Sequence, residues 1–435
     1  MKILFLHSLY APHVGGGAEV VVRQLAEGLH ARGWDLAVLA TGPELGLHEE
    51  QLGGVRIYRA GLRNLYWHFT QTRPNPLLRL GWHYRDRYNR GMREYVREVI
   101  ARERPDVVVC HNLTGWSVSA WDEITAAGLP IVQVVHDLYL LCPKDTMFNK
   151  GHSCERQCGL CSAFRRGHAA RSAQVAAVIG VSRFILDRVT AYGYFNQASR
   201  HVVHNSVPLA EGSVAAPRHP HSGLLRFGYI GTLSANKGLG WLIEQFQALS
   251  INATLEIAGR GKLDYEAQLK ALADPAKVRF VGYQHAEAFM RNIDVLVVPS
   301  IWAEPFGLVA VEACAQHLPV IATTRGGLPE IISDNLNGLL CSPDDPDSLG
   351  RAMLRLYLDS GLRQRLSQQA RPSVAAFLNM ERMLDQYQSI LHSALHGRRA
   401  HDDPDSIEPF TAQTEPADDR QAHAAGADRR LLADQ

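Results

Sequence analysis

SIWAEPFGLVAVEACAQHLPVIATTRGGLPE, residues 300–330, decides how this chain is read. It leaves an apolar run, Val295 to Val298, closed by Pro299, and it ends on a second short apolar run and a Gly-Gly-Leu-Pro-Glu turn. The pattern predicts strand, loop, helix, strand, loop. In parallel α/β sheets, ligands bind on such loops beyond the carboxyl ends of the strands. Phe306, Gly307 and Leu308 occupy the loop-to-helix junction. Gly307 allows close backbone approach, and the helix that follows turns a positive end toward a phosphate. Glu304 and Glu312 flank this junction. Two glutamates so spaced are most simply solvated helix residues. Glu304, however, stands in a strand-exit loop ahead of Pro-Phe-Gly, where its carboxylate can take hydroxyl hydrogen bonds. The combination suits a phosphorylated sugar.

The stretch resembles the E-x7-E signature of the retaining, nucleotide-sugar-dependent glycosyltransferases of family 4, which have the GT-B fold. The similarity covers about residues 1–395 and is strongest from 228 to 345. It implies an α/β protein with two Rossmann-like domains facing across a cleft. It also implies transfer of a sugar from a nucleotide-diphosphate donor to an acceptor hydroxyl, sugar or lipid-linked, with retained anomeric configuration.

Composition is compatible with that reading. A chain of 435 residues accommodates two domains. Its formal charge of +1 gives no general case for nucleic-acid binding. No run of 18 apolar residues predicts a membrane-crossing helix. The amino terminus reads as a buried strand, since His7 breaks its apolar run and no small-residue cleavage site follows. Seven cysteines, an odd number without a secretory signal, point to a reducing cytoplasm.

The first half opens as a βαβ unit, with a glycine-rich loop at 11–19 between strand and helix. The loop is not G-x-G-x-x-G, and no acidic residue closes the second strand, so dinucleotide binding is disfavoured. Gly16 and Gly17 resemble the family's Gly-Gly loop, which faces the donor. Residues 62–104 interleave Tyr66, Trp67, Phe69, Trp82, Tyr84 and Tyr88 with Arg63, Arg73, Arg79, Arg85, Arg87, Arg90, Arg93 and Arg97. Such a segment is either a solvated amphipathic helix or a face meeting an anionic membrane or lipid-linked acceptor at the inner leaflet. His136, at the end of an apolar strand, is placed to meet a substrate hydroxyl or phosphate and resembles the family's strand-end histidine. Cys142, Cys154, Cys158 and Cys161 lie within twenty residues. They read as unliganded thiols or as ligands of a structural zinc or iron–sulfur site, with no cofactor needed for catalysis. Asn205 is similar to the family's asparagine before the interdomain linker.

In the second half, Lys237 sits in a glycine-flanked strand-to-helix loop, where a point charge, amides and a helix end converge on a phosphate. Thr232 stands where relatives carry an arginine, which removes one of two cations. Arg260 follows the next strand as a further phosphate contact or a solvated turn residue. The Asp-Pro-Asp runs at 345–347 and 403–405 read as turn caps rather than metal sites. The expected division is an amino-terminal domain at 1–208 with a cysteine-rich insertion at 142–161, a linker at 209–222 and a nucleotide-sugar domain at 223–372. A terminal helix at 373–396 packs back on the first domain, and 397–435 is a disordered tail. The assigned roles are charge stabilisation by Lys237 and the amides at Gly307 and Leu308, ribose binding by Glu312, and sugar orientation by Glu304 and His136. The alternatives are a nucleotide-sugar epimerase of the same fold and a non-catalytic sugar-nucleotide binder.

Overall fold

A computed structural model of the chain describes residues 1–69, 74–208 and 223–402, the last five as helical backbone only. The linker, Arg73 and residues 403–435 lie outside the described residues.

The first domain is built on an eight-stranded sheet. Its strands are β1 (Lys2–Leu6), β2 (Asp35–Gly42), β3 (Leu47–Leu52), β4 (Val55–Gly61), β5 (Val107–Cys110) and β6 (Ile131–Val135), then β9 (Ala177–Gly180) and β10 (Ser199–Val202). A separate hairpin of β7 (Phe148–Asn149) and β8 (His152–Ser153) lies between β6 and β9. The spatial order is β10-β9-β6-β5-β1-β2-β4-β3, parallel throughout except for the β3–β4 hairpin pairing. The central strands are continuous Val, Ile and Leu runs because helices bury both faces of a parallel sheet.

The helices of this domain are α1 (Gly17–Ala31), α2 (Pro76–Asp86), α3 (Arg90–Glu103), α4 (Ser119–Ala126), α5 (Gly159–Phe164), α6 (His168–Arg171) and α7 (Arg183–Thr190). The basic aromatic segment is thus two helices rather than one. Asn75 caps α2, its side chain accepting from the Leu78 amide at 2.8 Å. Many of its charged groups are spoken for: Arg93 and Arg97 pair with Glu123, and Arg63 pairs with Glu94.

The second domain carries β11 (Leu225–Ile230), β12 (Ala253–Ala258), β13 (Val278–Gly282), β14 (Val295–Val298), β15 (Val320–Thr323) and β16 (Gly338–Cys341). Between them run α8 (Leu239–Ala248), α9 (Leu263–Leu272), α10 (Ala286–Met290), α11 (Leu308–Ala315), α12 (Ser348–Leu358) and α13 (Ser360–Ser373). The strand order is β13-β12-β11-β14-β15-β16, all parallel. This is the doubly wound 3-2-1-4-5-6 order, in which the direction of strand addition reverses between its first and fourth strands. Asp345 pairs with Arg351 and accepts the Asp347 amide at 3.2 Å, consistent with its reading as a turn residue.

The last helix, α14 (Met380–Asp402), differs from its expected span of 373–396. Pro372 lies near the end of α13, which stops at Ser373, and Asn379 starts a new helix by accepting the Arg382 amide at 2.9 Å. The helix also runs through 397–402, which were expected to be tail. It crosses to the first domain, where Leu384 lies against Gly28 of α1. A Cβ at Gly28 would stand 2.9 Å from Leu384 Cδ1, so the missing side chain permits the approach. Arg32 donates to Asp385 at 2.8 Å and Gln388 at 2.6 Å, and pairs with Glu381.

Candidate active site

The reversal point of the second sheet brings the β11–α8 and β14–α11 loops side by side. The Asn236 carbonyl accepts the amides of Ile301 at 3.1 Å and Trp302 at 3.3 Å. Gly238 has φ of +74°, and a Cβ there would lie 2.0 Å from the Pro299 carbonyl oxygen, so only glycine fits. The joined loops bring Lys237 Nζ into an ion pair with Glu304, which Ser300 Oγ also approaches at 3.3 Å. Glu304 is buried, and its carbonyl accepts the Gly327 amide at 2.7 Å.

Gly307, at φ +112°, turns the chain into α11. The amides of Gly307, Leu308 and Val309 donate to no protein group among the described residues. Three free amides at a helix start make an anion cradle. Glu312 lies further along the same helix, and burial pushes its carboxyl up to about 7.

The glycine-rich loop of the first domain faces this junction. Gly17 lies against Leu308, whose Cδ1 would stand 2.8 Å from a Cβ there. Gly16 donates its amide to Glu19 Oε2 at 2.7 Å, a contact that ties the loop to the first turn of α1. Behind the loop, the consecutive sheet neighbours β6, β5 and β1 each run directly into a histidine: His136, His111 and His7. His111 Nδ1 lies 3.0 Å from His136 Nε2 with the rings stacked, and His7 approaches Glu19 at 3.6 Å. Burial, reinforced by His7, lowers His136 to about 3, so its ring is neutral at physiological pH. The Glu19 carboxyl is held below its usual value; burial opposes this, but the nearby His7 ring and the hydrogen bond from the Gly16 amide outweigh it.

The remaining expected site residues are placed less uniformly. Thr232 is exposed, and its carbonyl accepts from Tyr229 at 2.8 Å. Arg260 is exposed and lies 5.5 Å from the Tyr283 ring centre, while its backbone pairs with Leu233 next to the Lys237 loop. Asn205 is buried with Oδ1 lacking a protein partner. The Phe306 side chain is buried between His204 and Phe377, so only its backbone faces the junction.

Five residues escaped the sequence reading: His7, Glu19, His111, Ser300 and Glu330. The signal for His7 and His111 was the one that marked His136, a histidine directly after an apolar strand. Glu330 joins the two domains by accepting the Arg183 amide at 2.9 Å, the Phe184 amide at 2.8 Å and His204 Nε2 at 2.9 Å.

Of the two readings of the four clustered thiols, the zinc or iron–sulfur site is not supported. Among the described residues no group of three or more His, Cys, Asp or Glu is placed to hold a metal ion. Cys161 instead donates to Cys142 Sγ at 3.7 Å, which lowers Cys142 to about 6, while Cys158 is exposed at the start of α5. The thiols are spread over a buried turn, a hairpin and a short helix, and all four line one open cavity.

Two Rossmann-like domains with facing reversal-point loops define the GT-B class of glycosyltransferase. The Glycosyl transferase 4-like domain matches residues 16–206, and Glycosyl transferases group 1 matches residues 219–373. The chain belongs to family 4 of the GT-B glycosyltransferases. It is 29% identical over 336 residues to the uncharacterized 42.6 kDa protein in the cps region of Klebsiella pneumoniae, covering 76% of this chain and 87% of that one. It is also 29% identical to glycogen synthase of Mycobacterium tuberculosis, covering 92% of this chain and 96% of that one. The structure of Anabaena HepE in complex with UDP and glucose superposes with a TM-score of 0.68 at 19% identity, covering 90% of this chain and all of that one. Group 1 glycosyltransferases generally need no cofactor. No helix among the described residues is long and apolar enough to cross a membrane.

Proposed function

We propose that the protein is a retaining hexosyltransferase that moves a sugar from a nucleotide-diphosphate donor to an acceptor hydroxyl in cell-surface polysaccharide or glycolipid synthesis. The observation that carries this is the Lys237–Glu304 pair at the reversal point, beside the free amides of Gly307 to Val309 and opposite Gly16 and Gly17. The cps-region relative supports the pathway class, and the UDP and glucose of HepE make UDP-sugars the first donors to test.

In this reading the amides and Lys237 meet the diphosphate, and their charge compensation grows as the bond from the anomeric carbon to phosphate oxygen breaks. Glu312 takes the ribose hydroxyls. Glu304 orients the sugar, together with His136, whose Nδ1 is left free because Nε2 is held by His111. The acceptor oxygen forms the new bond from the face the diphosphate leaves, and its proton passes to the departing phosphate oxygen. Thr232, in place of an arginine, leaves Lys237 as the main side-chain cation and lowers affinity for the diphosphate. The face formed by 62–104 meets a lipid-linked acceptor or the membrane surface.

The test is donor consumption across a panel of nucleotide sugars, with and without a cell-envelope lipid fraction. Acceptor-dependent release of nucleoside diphosphate is expected. Consumption without acceptor would indicate an epimerase, and no consumption in any arm would indicate a binder.

A further inference from the structure

Away from the donor junction, a cavity of about 750 Å³ opens between α2, the cysteine-bearing turn and α5, with Lys262 of the second domain on its rim. Its volume is that of a small-molecule site. Three cationic side chains line it, Arg79, Lys144 and Lys262, together with His83 and His68. None of the three pairs with a carboxylate among the described residues, in contrast to the ion-paired Arg93 and Arg97 of the next helix, and the lining also holds the acidified Cys142 thiol. Arg79 Nε and His83 Nδ1 are buried with no hydrogen-bond partner among the described residues, one helical turn apart on α2. Unpaired donors gathered around one cavity are costly unless an anion meets them. Burial first, then Arg165, Arg79 and Lys144, lower His83 to about 4.

The same cavity also has an apolar lining of Leu80, Phe148, Leu160 and Phe164. Leu80 continues an exposed stripe on α2 with Leu77 and Tyr84, which are 81% and 69% exposed. The lining also includes His68, whose Nε2 lies 2.8 Å from Ser8 Oγ, directly after His7 of the histidine cluster. The cavity therefore brings together a residue bonded to a strand end of the first domain, cationic side chains and an apolar lining.

We propose that this cavity holds the acceptor, and that the acceptor is an amphiphilic phosphate ester: a phosphate or diphosphate on the cationic side chains, an apolar chain along Leu80 and Leu160, and the reacting hydroxyl directed past His68. Its role as acceptor site rests on the transferase reading above; the binding site itself does not.

Calorimetry on the full chain with farnesyl phosphate, farnesol and inorganic phosphate tests it. Farnesyl phosphate is expected to bind at least about tenfold more tightly than either of the others, since charge-assisted contacts and apolar burial act together. Arg79→Ala with Lys144→Ala is expected to lower that affinity about tenfold or more, and the uncharged Leu80→Ser to lower it while leaving inorganic phosphate unchanged. Both variants should keep the wild-type melting temperature and nucleotide affinity. Farnesol binding as tightly as farnesyl phosphate, inorganic phosphate doing so, or folded variants binding like wild type would each overturn the proposal. Farnesyl phosphate binding by a protein that takes no nucleotide would instead overturn the transferase reading and leave the site standing.

Discussion

His111 Nδ1 lies 3.0 Å from His136 Nε2, at the ends of neighbouring parallel strands. Each ring is buried, and the contact orients His136 through a second imidazole rather than through a carboxylate. Burial lowers both histidines, His136 to about 3. Their native forms therefore bind fewer protons than the unfolded chain once the pH falls below the ordinary histidine value of about 6.5. Stability is predicted to fall as pH drops from about 6.5 toward 3, by up to about 1.4 kcal/mol per pH unit for each histidine. Urea unfolding at pH 7.5 and pH 5 checks this. A His136→Asn variant should show a smaller difference between the two pH values; an unchanged difference would remove His136 from the account.

Glu304 is predicted to serve transfer more than nucleotide affinity. Its carboxylate is buried and paired with Lys237, and it faces the place proposed for the sugar. Glu304→Gln should lower kcat about a hundredfold or more, the range seen when one positioned polar group is removed at a reacting centre. Nucleotide affinity by calorimetry should stay within about threefold. Wild-type kcat in this variant would overturn the assignment.

Glu312 is predicted to make nucleotide binding pH-dependent. Burial raises its carboxyl to about 7, so it ionises across the neutral range. The ionised form accepts both ribose hydroxyls, whereas the protonated form must give up part of that capacity. Affinity should therefore rise as pH increases from about 6 to 8. Glu312→Gln should flatten that dependence and weaken binding at pH 8. An equally steep profile in the variant would place the dependence elsewhere.

Gly238→Ala is predicted to destabilise the second domain and disorganise the donor site together. The new methyl carbon would stand 2.0 Å from the Pro299 carbonyl oxygen at a φ of +74°. The loops carrying Lys237 and Glu304 would have to separate. A cost of roughly 2 kcal/mol or more is expected, read as a lower melting temperature with weakened nucleotide binding. Gly33→Ala, with nothing within 4 Å of its added carbon, is the control for positive φ alone.

The alternation of apolar strand and helix, the glycine-bearing loops and the Glu304–Glu312 spacing were all present in the order of residues, because each depends only on near neighbours. They were enough for two Rossmann-like halves and for the choice of Lys237, Glu304, Gly307 and His136. Strand order was not among them. That β11 lies beside β14, and β1 beside β5 and β6, follows from how the sheets pack. It is this adjacency that pairs Lys237 with Glu304 across 67 positions and gathers His7, His111 and His136 into one cluster. Arg79, with no acidic partner among the described residues, and the ion-paired Arg93 look alike in a basic segment, and tertiary contact with Glu123 sets Arg93 apart. Local pattern determined which elements this chain forms. Long-range packing decided which of their ends meet, because contact between distant residues depends on sheet topology rather than on spacing along the chain.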